Sequence, residues 1–332
     1  MGDNKKYHHF VANNSEDFKA KAWEIFHFQS KNNTFYRKFL ELLPDCSPNQ
    51  ENLFSIPALP VQFFKNQLLT SGIWDPEVVF SSSGTTGSVP SKHAVRFLED
   101  YLKHTEYCFA SCYGNVENFA FVALLPHYLD RKGSSLVDMV AHFIRKSKFP
   151  EFCGFFLSHR DALPELLLRA KIKGIPVVLI GVTFALLELA KDFPFHFPQL
   201  IVMETGGMKG QGRELPRVEL HEILKRAFGV PQIHSEYGMT ELLSQAYAPS
   251  DGLFQESASL KILIRDITDP FREMPPGRVG AVNIIDLANR NTLSFIATDD
   301  LGRKLPNDSF EILGRLDNAE IRGCNLLLPH FN

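Results

Sequence analysis

Residues 81–92, SSSGTTGSVPSK, carry the strongest chemical signal in the sequence: two glycines and a run of hydroxyls directly behind the apolar stretch Val78-Val79-Phe80. A strand feeding a hydroxyl-rich loop is expected here. Gly84 and Gly87 let the backbone approach an anion closely, Ser82, Ser83, Thr85 and Thr86 add hydroxyl donors, and Lys92 adds a point charge. That combination suits a cradle for the β- and γ-phosphates of ATP. No G-x-x-x-x-G-K-S/T can be read through either glycine, which disfavours an ordinary P-loop. Taken alone, the segment also reads as a polar turn.

Three further segments supply what a nucleotide site needs. In SEYGMTE (235–241), Tyr237 offers a ring to stack on a purine, Gly238 a flexible backbone, Thr240 a hydroxyl for an α-phosphate and Glu241 a carboxylate for Mg²⁺. In TDDLGR (298–303), Asp300 can chelate ribose hydroxyls and Arg303 can meet phosphate or carboxylate charge, while GRLDNAEIRG (314–323) adds Arg315. Each has a plainer reading: a helix cap, a solvated turn and an exposed hairpin. Gly206 and Gly207, in ETGGMKG (204–210), let a backbone wall approach adenine or an acyl group, or form a tight turn.

Composition limits the classes of function. With 332 residues, 44% of them hydrophobic, the chain has material for a large core, as one big domain or two closely packed ones. A formal charge of -3 argues against a nucleic-acid partner, since no basic excess exists to neutralise phosphates. Five cysteines in irregular spacing (Cys46, Cys108, Cys112, Cys153, Cys324) and a start, MGDNKKYHHF, without an apolar signal region point to free thiols in the cytoplasm. No apolar run reaches membrane-spanning length, and no metal-ligand spacing is present.

The elements that must position these residues follow from periodicity. Apolar residues from Phe18 to Leu43 recur at helical spacing behind a candidate Ser15 cap, and IPALPVQFF (56–64), with two prolines, suits an extended segment whose Phe63-Phe64 pair is packing. Strands are expected near 76–82, 119–125, 175–181 and 199–203, and helices over 97–109, 134–147, 161–172 and 217–228, an α/β order. After Tyr237, short strands broken by PSDG and PPG imply a smaller β subdomain. The division expected is a helical segment (1–75) packed on an α/β core (76–240) and a β-rich subdomain (241–332).

In this order the motifs resemble those of the adenylate-forming superfamily of acyl-CoA synthetases, peptide-synthetase adenylation domains and luciferases. Within it, IPALPVQFFK, SSSGTTG, EYGMTE and LGRLDNAEIRGCNLL resemble the acyl-protein synthetase (LuxE-like) family across nearly the whole chain. The resemblance implies the α/β large domain of that fold, ATP and Mg²⁺, and adenylation of a carboxylic acid, a fatty acid in the family. It also implies passage of the acyl group to a cysteine near the C-terminus, which here is Cys324. Cys324 also reads as a small buried hydrophobe.

The resemblance further places His127 at the substrate carboxylate, although it could be an ordinary loop histidine, and implies an acyl-reductase or acyl-carrier protein as partner. The superfamily's lid domain with its catalytic lysine has no counterpart before Asn332, so the lid is expected to be absent, and Lys92, Arg303, Arg315, Mg²⁺ or a partner would have to compensate. Two other functions fit the same motifs: a CoA ligase of the phenylacetate type, and a non-catalytic adenylate-binding scaffold.

Overall fold

A computed structural model of the chain describes residues 10–43, 48–82, 89–125, 133–156, 159–206 and 215–316. Helix α1 (Ser15–Asn32) starts at Asn14, whose side chain accepts the Asp17 amide at 2.9 Å, so the cap lies one residue before the expected Ser15. Asn33 closes α1 and caps α2 (Thr34–Glu41) by accepting from the Tyr36 amide. The stretch expected to be extended is so only in part: a two-residue strand, β1 (Leu59–Pro60), leads into one turn of helix, α3 (Phe63–Asn66). Both prolines precede that turn and remove none of its hydrogen bonds, and Phe64 is fully buried.

The α/β alternation follows, with strands β2 (Val78–Ser81) and β3 (Lys92–Val95), then α4 (Leu98–Tyr113), β4 (Ala120–Leu124), α5 (Ser135–Lys146) and β5 (Gly154–Phe155). Next come α6 (Leu163–Ile172), β6 (Val177–Val182), α7 (Thr183–Asp192), β7 (Ile201–Thr205), α8 (Arg217–Phe228), β8 (His234–Tyr237) and β9 (Ala246–Ala248). Six strands form one sheet in the order β5-β4-β6-β7-β8-β9, parallel except for the antiparallel β9. Buried on both faces, β4 and β6 read as unbroken apolar runs, AFVAL and VVLIGV.

Beyond β9 the chain becomes antiparallel: β10 (Leu260–Arg265), β11 (Gly280–Asp286), β12 (Phe295–Lys304) and β13 (Phe310–Arg315). They form a second sheet, β1-β12-β11-β10, with β13 also on β12 and β1 its only parallel member. A second apolar core joins this sheet to α1 and α2 through Phe18, Trp23, Phe26, Tyr36 and Phe295.

Buried polar groups connect the two sheets. Asp286, at the end of β11, accepts the backbone amides of Leu243, Ser244 and Ala288 and the Ser244 hydroxyl. Such a carboxylate is tolerated in the interior because its acceptor sites are filled. Among the described residues no helix is long and apolar enough to cross a membrane.

Candidate active site

In a parallel sheet all carboxyl ends lie on one edge, and ligands of open α/β folds bind outside that edge. Strands β7 and β8 end there at Thr205 and Tyr237, so the backbone that follows each reaches the same place. A cleft opens at this edge, and its walls include Ser81 and Ser82, Thr205 and Gly206, Glu236, and Gly238 to Thr240. Two of the sequence motifs therefore converge on one cleft with the glycine turn that ends β7.

Each wall is fixed locally. Ser82 exchanges hydrogen bonds with Ser91 across the mouth of the loop, through its amide at 3.1 Å and its hydroxyl at 2.9 Å. Gly206 stands at φ +66°, a conformation that favours glycine, and its carbonyl accepts the Thr183 hydroxyl at 2.7 Å. Gly238 is required by its neighbour: a Cβ there would fall well inside contact distance of Glu236 Oε1. Glu236 is 6% exposed, and its other carboxylate oxygen accepts the Thr205 hydroxyl.

Thr240 lies on the wall, and its carbonyl accepts from His93 Nδ1 at 2.8 Å. Burial pushes the His93 pKa down to about 4, so the ring is neutral at ordinary pH. Glu241 is the next residue, buried behind the wall; desolvation raises its carboxyl pKa, opposed by a hydrogen bond from the Ser91 side chain and by the Arg315 charge. Glu241 does not line the cleft, so a magnesium ion at its carboxylate, expected from the sequence, would require that side chain to turn into the cleft. Among the described residues no group of three or more His, Cys, Asp or Glu could hold a resident metal.

The second sheet contributes Asp300 and Arg315, which meet Tyr237 at the end of β8. Its ring is 9% exposed and edge-on to Phe254 and Phe310, while its hydroxyl donates to Asp300 at 2.7 Å. Stacking on a purine, expected of Tyr237 from the sequence, would require the ring to give up part of this packing. Asp300 is largely buried, which raises its pKa against the Tyr237 hydrogen bond and the Arg315 charge. Arg315 Nε lies 3.7 Å from Asp300 Oδ1, directly across the β12–β13 ladder. Tyr237, Asp300 and Arg315 thus form one chain of contacts from three separate motifs.

Arg303 is not brought into that group. Its guanidinium is paired with Glu311 on the neighbouring strand, because TDDLGR is the second half of β12 rather than a solvated turn. Lys92 opens β3 opposite Ser81, exposed and with no ion pair among the described residues. Ser83, Gly84, Thr85, Thr86, Gly87, His127, Gly207 and Cys324 lie outside the described residues. Sequence reasoning did not single out Glu236, Ser91, His93 or Gln245; Glu236 and Ser91 lay inside motifs already noted, and only the fold turns them inward.

The architecture is that of the adenylate-forming ligases. ATP-bound MatB from Rhodopseudomonas palustris is similar at 17% identity and TM-score 0.52, over 71% of this chain and 47% of that one. O-succinylbenzoate coenzyme A synthetase (MenE) from Bacillus subtilis, in complex with ATP and magnesium ion, gives 17%, 0.51, 71% and 49%. 2-Hydroxyisobutyryl-CoA ligase in complex with 2-HIB-AMP and CoA gives 14%, 0.62, 93% and 70%. The chain therefore spans about half the length of the first two, and at these identities the likeness is one of fold. Residues 143–331 match the family described as acyl-protein synthetase, LuxE, and the chain belongs to that family. Comparison with curated proteins finds no match.

Proposed function

We propose that this chain activates a carboxylic acid as its acyl-AMP with ATP and then passes the acyl group to a thiol. The observation that carries the reading is the convergence of Ser82, Gly206 and Gly238–Thr240 on one cleft at the carboxyl edge of a parallel sheet, with the Tyr237–Asp300–Arg315 chain beside it. In this reading the residues from Ser82 to Gly87 hold the β- and γ-phosphates, Lys92 adds charge, and Gly206 and Gly207 form the adenine-side wall. Asp300 takes the ribose hydroxyls, with Tyr237 holding that carboxylate in place. Thr240 and Glu241 serve the α-phosphate and the magnesium that comes with ATP.

A substrate carboxylate oxygen attacks the α-phosphorus, the bond to the β-phosphate oxygen breaks, and pyrophosphate leaves. A thiolate then attacks the acyl carbonyl of the mixed anhydride, forming a thioester as AMP departs. Cationic stabilisation of the first transition state falls to Lys92 and Arg315, because Arg303 is neutralised by Glu311. The finer part of the proposal is carried by the family resemblance: a fatty acid as substrate, His127 near its carboxylate, Cys324 as acceptor and a reductase or carrier protein as recipient.

The test is ATP–pyrophosphate exchange against fatty and aromatic acids, with wild type and Thr240→Ala, followed by intact mass of wild type and Cys324→Ser. Acid-dependent exchange reduced in Thr240→Ala, and an acyl adduct missing only from Cys324→Ser, is the expected result. Nucleotide binding without exchange for any acid would overturn the catalytic reading in favour of a scaffold. Exchange with acyl transfer to coenzyme A and no adduct would replace the protein thiol as acceptor.

A further inference from the structure

The dipeptide Thr240–Glu241 lies in an irregular stretch between β8 and β9, where no ladder fixes the backbone. Side chains from elsewhere fix it instead. His93 Nδ1 binds the Thr240 carbonyl at 2.8 Å, Asn289 Nδ2 donates to the Glu241 carbonyl at 2.8 Å, and Asp286 Oδ2 accepts the amides of Leu243 and Ser244 at 2.9 and 3.0 Å. Of these groups, His93 is the one that comes from the strand leaving the phosphate loop. Its other nitrogen meets Thr292 Oγ1 at 3.0 Å, and Phe64 packs edge-on to the ring at 5.8 Å. The ring is fully buried and has both nitrogens engaged.

Period-two alternation explains why one strand can do this. Ser91 and His93 are buried and flank the exposed Lys92, so the residues on either side of the lysine turn inward while it faces out. His93 reaches the Thr240 carbonyl, and Ser91 lies near enough to Glu241 to oppose the rise in its carboxyl pKa. The two neighbours of Lys92 therefore tie the strand that carries it to the dipeptide.

We propose that His93 is a positioning residue for adenylation: it fixes the Thr240 carbonyl, and through it the Thr240–Glu241 pair, against the segment that carries the phosphate loop. The proposal rests on the adenylate-forming reading of Thr240 and Glu241. A buried histidine could instead serve only to fill the space between Phe64 and Thr292. The two roles differ in which nitrogen matters. The amide of asparagine falls near the Nδ1 position and can still donate to Thr240, whereas that of glutamine reaches the Nε2 position and leaves the Thr240 carbonyl without its donor.

The experiment compares His93→Asn and His93→Gln with wild type in pyrophosphate exchange, thermal melting and backbone hydrogen–deuterium exchange of a peptide spanning 239–242. His93→Asn is expected to keep kcat within about threefold, and His93→Gln to lower it about tenfold or more with KM for the acid little changed, since ångström-scale misplacement of a catalytic group costs on the order of 10²-fold. Deuterium uptake over 239–242 should rise in His93→Gln and not in His93→Asn. Equal effects of the two variants on kcat, in proportion to their melting temperatures and with uptake raised evenly along the chain, would overturn the proposal. If wild type shows no exchange with any acid, the adenylate reading fails by itself. The uptake arm then still decides: faster exchange at 239–242 in His93→Gln alone upholds the hold on Thr240, and equal uptake removes it.

Discussion

The Tyr237 hydroxyl donates to Asp300 at 2.7 Å, linking the last parallel strand of one sheet to the central strand of the other. Asp300 is largely buried, so loss of this donor leaves a carboxylate short of a partner away from water. Tyr237→Phe should therefore cost about 1–3 kcal/mol of stability. It should also weaken AMP binding if Asp300 receives the ribose. Thermal unfolding and an AMP titration check the two parts separately, and unchanged AMP affinity in a destabilised variant would remove Asp300 from the nucleotide site.

Gly238 is constrained by the carboxylate beside it. The position is exposed on the cleft wall, where alanine would ordinarily be harmless, but its Cβ would press on Glu236 Oε1. Glu236 has little room to retreat, being buried and held by the Thr205 hydroxyl. Gly238→Ala is expected to cost about 1–3 kcal/mol through this overpacking. A larger loss of acid-dependent exchange should accompany it, because the strain falls on the cleft wall. Retention of wild-type exchange would show that Glu236 can swing aside freely.

Particular residues show how far the sequence reveals the fold and site. The strands and helices from Phe119 to Phe228 were legible because parallel strands buried on both faces are continuous apolar runs and the helices between them alternate in polarity. Helix α7 and the two-residue strand β5 were not, since α7 follows β6 without a loop and has no side-chain cap, and β5 is too short to carry a pattern. The second half of β12 reads as a solvated turn only while its charges are unpartnered. In the fold Asp299 accepts from Gln62, Asp300 from Tyr237, and Arg303 pairs with Glu311. His93 was invisible for a related reason: its contact with Thr240 spans 147 residues, and no local spacing encodes it.

The two arginines of the second sheet should respond differently to removal. Arg303 is held in a ladder pair with Glu311, whereas Arg315 approaches Asp300 and Asp299 only at 3.7 and 4.0 Å and its side chain is 74% exposed, free to turn towards a phosphate. Arg315→Ala is expected to lower exchange about tenfold or more, the scale of losing one preorganised donor to transition-state charge. Arg303→Ala, breaking one partly buried pair away from the phosphates, should change it by less than about threefold. The reverse order in a pyrophosphate-exchange assay would place Arg303, and not Arg315, at the phosphates.

Buried histidines should make the fold sensitive to mild acid. Burial pushes the pKa of both His93 and His104 down to about 4 from the ordinary 6.5. Between those values the unfolded chain binds a proton at each ring that the folded chain does not. Stability from this source is therefore complete above about pH 6.5 and is lost as pH falls towards 4. At pH 5 each ring should have forfeited about 2 kcal/mol. Glu241, Asp286 and Asp300 act in the opposite sense, because burial raises their pKa values and protonation in the folded state relieves it. The histidine contribution is isolated by comparing wild type with His104→Asn at pH 7.5 and pH 5. His104 lies in a buried network with Ser244 and Ser259, away from the cleft wall, so the variant is expected to start less stable at pH 7.5 for lack of those bonds. Its further loss on acidification should be smaller than that of wild type by about 2 kcal/mol, the share of one titrating ring. Parallel losses in the two proteins would mean that His104 is already protonated, or reaches water, in the folded state.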